Sequence, residues 1–214
     1  MIYIVKHKDC EIPKLPGYTQ IGVGKLFNYK GDNINYLNPY LNETTALYDI
    51  WKNTDDEIIG MCHYRRFFKS DNGGILTFIE AEHILNEWGY EMIAPFEFHP
   101  PVTPYDWLSR AIETHILEKY IPQLPEDFQK WLNEPNVFNP CNMFVSRRNT
   151  IEAYCEWMFP IMIPLAERFM REDSGKSFKD DRALGFVCEM IFGYWCHKIR
   201  IANIHRVEFR TIEV

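Results

Sequence analysis

Short apolar runs alternate along this chain with stretches in which apolar residues recur at helical spacing. The runs are rich in β-branched residues and end at turn formers or charges, which predicts buried strands. They cover residues 2–7, 18–23, 57–62, 91–94 and 143–145, with a last strand expected from 199. Helices are predicted over 43–53, 77–88 and 103–120, after Asn149, and over 181–198. This alternation predicts an α/β, Rossmann-like sandwich with a mostly parallel or mixed sheet, and 214 residues fit one domain, 1–214.

Some helix boundaries have specific signals. Thr77 with Glu80 is a capping-box pattern, and Asn42 before Glu43 is expected to cap the first helix. Thr103-Pro104 places proline at the first helical position. Pro160 and Pro164 are expected to interrupt the helix after Asn149, because proline lacks an amide hydrogen.

A cationic and aromatic cluster, His63-Tyr64-Arg65-Arg66, follows the apolar run that ends at Cys62. Ligands of α/β proteins collect at the carboxyl ends of strands. Two guanidinium groups there favour an anionic ligand, since they match phosphate and carboxylate in two-pronged hydrogen bonds. The alternative is a strand end whose arginines pair with acidic neighbours on the surface.

The last predicted helix is apolar nearly all round, which predicts burial. Arg182, Gly185, Glu189 and Gly193 share one stripe of it. A carboxylate in such a helix needs a partner or has a raised pKa. Glu189 is therefore either a general base or one half of a buried Glu–Arg pair.

Other polar residues are less specific. Asn33, Asn38, Asn42 and Glu43 precede a helix and either bind a sugar or phosphate or serve as turn and cap residues. Asn142 precedes an apolar strand and either contacts a hydroxyl or satisfies a loop backbone. A single helical histidine such as His115 is more often structural than catalytic.

The net charge and the composition exclude some classes of function. The net charge of -7 argues against nucleic-acid binding and requires any anion site to be local. The six cysteines lack metal-ligand spacing and are expected to be reduced core residues. Neither a signal peptide nor a membrane-spanning run is evident, so a cytoplasmic location is expected.

Nucleotide-binding motifs are also missing. The chain has no G-x-G-x-x-G after its first strand and no Walker A loop, which weakens dehydrogenase and P-loop NTPase interpretations. It has no Asp-x-Asp, the motif by which many glycosyltransferases hold the donor diphosphate through a metal. Arg65 and Arg66 could neutralise a diphosphate instead, so no cofactor is required, although Mn²⁺ or Mg²⁺ is compatible with the site.

Several stretches form a specific pattern when they are taken in order: 4–8 with 21–24, 31–34 with Asn38, 43–48, 51–53, 60–68, 142–145, 154–160 and 182–186 with Glu189. Together they resemble the DUF4422 family of bacterial capsular and lipopolysaccharide gene clusters, which includes β-galactofuranosyltransferases. Two departures are Asp49, where the family usually has an aromatic residue, and Cys141, where a glycine is more usual.

The resemblance implies a GT-A-like fold and transfer of a sugar, galactofuranose or galactose, from a UDP-sugar to a surface glycan or lipid-linked glycan. A lipid-linked acceptor would bring the protein to the inner membrane surface. The alternative is a non-catalytic carbohydrate- or nucleotide-binding protein on the same fold.

The resemblance also implies roles for particular residues. The donor and its diphosphate would be bound by His7, Asn33, Asn38, Glu43, His63, Tyr64, Arg65 and Arg66. The sugar or acceptor would be contacted by His115, Asn142 and Gly185. The catalytic group would be Glu189 or Asp181, as the base for the acceptor hydroxyl, with Arg182 beside it.

Overall fold

A computed structural model describes residues 1–175, 181–200 and 203–213, with only the backbone of 198–200. Its strands are β1 (Ile2–Lys6), β2 (Tyr18–Gly22), β3 (Ile58–His63), β4 (Arg66–Phe68), β5 (Met92–Pro95), β6 (Phe144–Arg147), β7 (Ile204–Val207) and β8 (Phe209–Thr211). Its helices are α1 (Asn38–Leu41), α2 (Thr44–Asn53), α3 (Phe78–Asn86), α4 (Pro104–Leu108), α5 (Thr114–Tyr120), α6 (Glu126–Leu132), α7 (Arg148–Glu172) and α8 (Ala183–Tyr194).

The strands form one mixed sheet, with the order β2-β1-β3-β6-β5-β7 and with β4 joining β3 to β8. The pairs β1–β2, β1–β3 and β5–β7 are parallel, whereas β6 is antiparallel to both of its neighbours. The predicted α/β class with a mixed sheet is confirmed. Because β6 is reversed, the residues before it lie at the same edge as the residues after β3.

Side chains of the central strand alternate between two layers, as the two-residue period of a strand requires. Ile59 and Met61 belong to the larger core, and Ile58 and Cys62 to the smaller one. Residue 63 continues the first series, so its side chain is directed toward the layer that contains α8. Tyr64, one residue later, packs in the smaller core.

The helix α8 forms the wall of the larger layer next to this strand end. Ten of its twelve residues are buried, and it packs against α1 and the turn before β6. Gly185 permits this approach, because a Cβ there would lie 1.7 Å from the side-chain nitrogen of Asn42. The predicted burial of the last helix is therefore confirmed.

Three of the helix predictions were wrong in detail. The segment from Thr103 forms two helices, α4 and α5, because the intervening turn buries Ile112 in the core. The long helix continues through Pro160 and Pro164, since its tertiary packing outweighs the local penalty. Asn42 does not cap α2 with its side chain, which contacts Arg182 instead.

Of three further boundaries, one agrees with its prediction and two are shifted along the chain. Thr77 and Glu80 form the capping box at the start of α3. The last helix begins at Ala183 rather than at Asp181, and the strand expected from residue 199 begins at Ile204. Among the described residues, no helix combines the length and apolar character that crossing a membrane requires.

Candidate functional site

A cleft of about 630 Å³ opens at the carboxyl edge of β1 and β3, between the strand ends and helix α8. This volume lies within the usual range for small-molecule sites. Its lining is Val5, His7, Val23, Asn38, Pro39, Asn42, Glu43, His63, Tyr64, Arg65, Arg66, Cys141, Arg182, Phe186 and Glu189. Most of the residues predicted for the donor site and the catalytic group are thus brought together.

The cationic cluster is a tight β-hairpin between β3 and β4. His63 pairs with Arg66 across the hairpin, so Tyr64 and Arg65 form its turn. The Tyr64 ring is buried, and its amide donates a hydrogen bond to the Val5 carbonyl of β1. The ring of His7 makes an edge contact with Tyr64 at 5.3 Å between centroids. This packing fixes the turn at the mouth of the cleft.

The two arginines of the hairpin remain available to a ligand. Neither Arg65 nor Arg66 forms an ion pair with any carboxylate that the structure describes. Arg65 is exposed, and Arg66 contacts a nitrogen of the His63 ring at 3.4 Å. The alternative of arginines paired with surface acids does not describe this strand end.

Two carboxylates lie deeper in the cleft, and one dipeptide holds them both. The backbone amide of Cys141 donates a hydrogen bond to Glu189 Oε2 at 3.1 Å. The side-chain amide of Asn142 donates to Glu43 Oε1 at 3.0 Å. The Glu43 carboxylate thus lies close to Glu189 and His63, and its negative charge raises the pKa of both groups.

The dipeptide has an unusual backbone conformation. Cys141 has φ 75° and Asn142 has φ 38°, and Asn42 on the facing wall has φ 51°. These are the only non-glycine residues with positive φ within the described parts of the chain. Such conformations cost about 1–3 kcal/mol each and cluster at functional sites. The strain is concentrated at the cleft.

Burial and neighbouring charges shift the protonation of the deep groups. Burial raises the pKa of Glu189 to about 7, and the charge of Glu43 adds to this rise. Burial lowers the pKa of His63, and the two hairpin arginines assist it against the opposing effect of Glu43. At neutral pH, His63 is therefore uncharged, and Glu189 is close to its titration midpoint.

The rim of the cleft is cationic. Burial lowers the pKa of His7, and the neighbouring charges of Arg182, Arg65 and Lys8 lower it further. Arg182 donates a hydrogen bond to the Asn42 side chain at 3.3 Å and lies over the Phe186 ring. The cleft thus has positive charge at its mouth and acidic groups at its base, an arrangement suited to an anion with a polar extension.

Some predicted residues lie outside the lining. The side chain of Asn33 closes a turn through Gly31 and Asn35, and His115 is exposed on α5. Asp181 accepts a hydrogen bond from the Gly175 amide and does not line the cleft. Of the two predicted base candidates, only Glu189 does so.

Three further predicted residues, Asn142, Gly185 and Asn38, make structural contacts at the cleft or beneath it. Asn142 is buried beneath the cleft, and Gly185 packs against Asn42. Asn38 lines the cleft, and its amide nitrogen donates to the Asn42 carbonyl at 2.9 Å. Cys141 and Phe186 also line the cleft but were not predicted to do so.

The next question is whether the described side chains could bind a metal ion. Within the part of the chain that the structure describes, no three His, Cys, Asp or Glu side chains are arranged to hold a metal ion. The arginines are the charged groups at the mouth that a phosphate could meet.

The left-handed conformation of Cys141 predicts an inverted order of stability for two substitutions. A left-handed backbone conformation costs glycine little, whereas it costs other residues roughly 1–2 kcal/mol. Cys141→Gly should therefore be more stable than Cys141→Ala by about 1 kcal/mol in urea unfolding. At Glu118, an exposed helical position, Glu118→Ala should be more stable than Glu118→Gly, which is the usual order. The same order at position 141 would contradict a left-handed conformation there.

Comparison with known proteins agrees with this architecture. No match was found among curated proteins. A solved structure, the apo form of the bifunctional glycosyltransferase WbbM, is similar with a TM-score of 0.77 and 20% identity. The match covers 100% of this chain and 45% of that one, so this chain spans less than half of WbbM's length. The likeness concerns the fold alone. The family model described as a domain of unknown function, DUF4422, matches residues 1–200, so the chain belongs to the DUF4422 family.

Proposed function

We propose that this protein is a glycosyltransferase that uses a UDP-sugar as its donor. The observation that carries this proposal is the pairing, in one cleft, of two arginines that form no ion pair with any described carboxylate and a partly buried glutamate whose pKa is raised to about 7. The arginines suit a leaving diphosphate, and the glutamate suits a proton acceptor. The fold shared with a bifunctional glycosyltransferase supports the same activity.

The diphosphate would lie at the mouth of the cleft. Arg65 and Arg66 project there from a hairpin that is anchored to β1 and β8 by backbone hydrogen bonds. Guanidinium groups held by a rigid turn can stabilise negative charge that develops on a leaving phosphate without reorganising. This charge neutralisation needs no resident metal.

The acceptor would react deeper in the cleft. Glu189 takes the proton from the acceptor hydroxyl as that oxygen bonds to the anomeric carbon. The bond from the anomeric carbon to the diphosphate oxygen breaks, and UDP leaves with the electron pair. The Cys141 amide keeps the Glu189 carboxylate in place throughout. A base whose pKa lies near the working pH is the most effective.

The finer assignments follow from the family resemblance. We propose galactofuranose or galactose as the transferred sugar and a surface polysaccharide or lipopolysaccharide intermediate as the acceptor. A lipid-linked acceptor would place the reaction in the cytoplasm at the inner face of the membrane.

Substitution tests the role of the hairpin arginines. Arg65→Ala and Arg66→Ala should each weaken UDP binding by roughly 10–150-fold, the usual value of a hydrogen bond to a charged group. Isothermal titration with UDP measures this, and affinities with Mn²⁺ and with EDTA should agree.

The matched control is Arg210→Ala, an exposed arginine on the neighbouring strand β8 that does not line the cleft. It removes the same charge and should leave UDP affinity within about twofold, since exposed charges are screened. Equal losses in all three variants, or none in Arg65→Ala and Arg66→Ala, would contradict the proposed role.

Substitution of Glu189 separates catalysis from binding. Glu189→Gln keeps the size of the side chain and an acceptor for the Cys141 amide, but it cannot take a proton. Transfer should fall by about 10²–10⁴-fold, while UDP affinity stays within a few fold. A protein that only binds carbohydrate or nucleotide would show no transfer in the wild type, and unchanged transfer in the variant would exclude Glu189 as the base.

The role of Glu189 also predicts how activity depends on pH. Glu189 acts in its deprotonated form, so kcat/KM should rise with pH to a plateau, with a midpoint near the Glu189 pKa of about 7. Glu43→Gln removes one of the two causes of the raised pKa, so the midpoint should move to lower pH. Burial remains, so the midpoint should stay above that of an exposed glutamate. An unmoved midpoint would contradict the assignment.

A further inference from the structure

The ring of His63 has one nitrogen with a defined role and one without. Its Nδ1 lies 3.4 Å from a guanidinium nitrogen of Arg66. Arginine can only donate hydrogen bonds, so Nδ1 must be the accepting nitrogen. Because burial keeps the ring neutral, its single proton is on Nε2. The Arg66 contact thus determines the tautomer.

Among the residues that the structure describes, none forms a well-aligned hydrogen bond with the protonated nitrogen. His63 Nε2 is buried, and the neighbouring backbone of Cys141 acts on the ring by raising its pKa. The carboxylate facing it, Glu43 Oε1, is 3.9 Å away, which is too far for a direct hydrogen bond. An unpaired buried donor is unfavourable, and in a binding cleft it marks a position where a ligand atom would be stabilised.

The acceptor on the other side of this gap is fixed. Asn142 donates to the same oxygen of Glu43 at 3.0 Å, and a carboxylate oxygen can accept a second hydrogen bond. A separation of 3.9 Å lets one oxygen atom lie at hydrogen-bonding distance, about 2.8 Å, from both His63 Nε2 and Glu43 Oε1. That atom must accept from the histidine and donate to the carboxylate.

Building on the proposed function, we propose that His63 and Glu43 form a hydroxyl clamp that selects a sugar nucleotide by one particular hydroxyl group. A hydroxyl is the group on a sugar nucleotide that accepts and donates through one oxygen atom. A deoxy or keto group at that position cannot satisfy both residues. The hydroxyl belongs either to the transferred sugar or to the ribose, and both present the same chemistry.

The test begins with the unmodified protein and matched ligands. UDP, 2′-deoxy-UDP and 3′-deoxy-UDP test the ribose, and UDP-galactose with its monodeoxy analogues tests the sugar. One deoxy position should bind at least about tenfold more weakly than the parent ligand, because a buried charged acceptor loses its partner. The other deoxy positions should stay within about threefold of the parent.

Substitutions then assign the discrimination to the clamp. Glu43→Ala and His63→Phe should each bind the parent and the sensitive deoxy ligand with nearly equal affinity. Arg65→Ala is the contrasting variant, because it should weaken both ligands and leave their ratio as in the wild type. Discrimination that survives in both clamp variants would overturn the clamp.

The outcomes also separate this proposal from the proposed function. Parent ligands that bind with no deoxy position discriminated would overturn the clamp and leave the UDP-sugar proposal standing. If neither UDP nor UDP-galactose binds, both proposals are overturned.

Discussion

The cleft depends on the Cys141-Asn142 dipeptide and its two hydrogen bonds to carboxylates. One residue offers its backbone amide to Glu189, and the next offers its side-chain amide to Glu43. Both donors reach inward only because the dipeptide has positive φ, which ordinary residues avoid. Reversed strand β6 places this turn at the carboxyl edge of β3, so the sheet topology itself brings the carboxylates to the hairpin arginines.

The distribution of charge explains how an acidic protein could bind an anion. The net charge is -7, yet the mouth of the cleft is lined by arginines of the β3–β4 hairpin and by Arg182. The acidic groups lie at the base, where burial raises the pKa of Glu189. A nucleotide sugar has the same polarity, with a charged diphosphate and an uncharged, hydroxyl-rich sugar. The complementarity is local and does not require a basic surface.

Part of this site could be predicted from the sequence, because its signals are local. The apolar run before His63 and the arginines after it indicated a strand end with a cationic cluster. The spacing of Arg182, Gly185 and Glu189 placed a carboxylate on a buried helix, where the structure finds it. In both cases burial and periodicity are encoded within a few neighbouring residues.

The remainder depends on tertiary contacts. Cysteine is not a residue that signals a left-handed turn, so the conformation of Cys141 has no local signature beyond the usual glycine of the family there. Asn33 and Asn38 belong to the same asparagine-rich segment, but one closes a turn and the other lines the cleft. The break between α4 and α5 reflects burial of Ile112, which helical spacing alone does not reveal.

If the hairpin arginines hold a nucleotide diphosphate in this cleft, a crystal structure of the protein with UDP will show it directly. Phosphate oxygens are expected at hydrogen-bonding distance, about 2.7–2.9 Å, from the guanidinium groups of Arg65 and Arg66. UDP bound elsewhere on the surface, or a diphosphate in the cleft that contacts neither arginine, would exclude this role for the arginines.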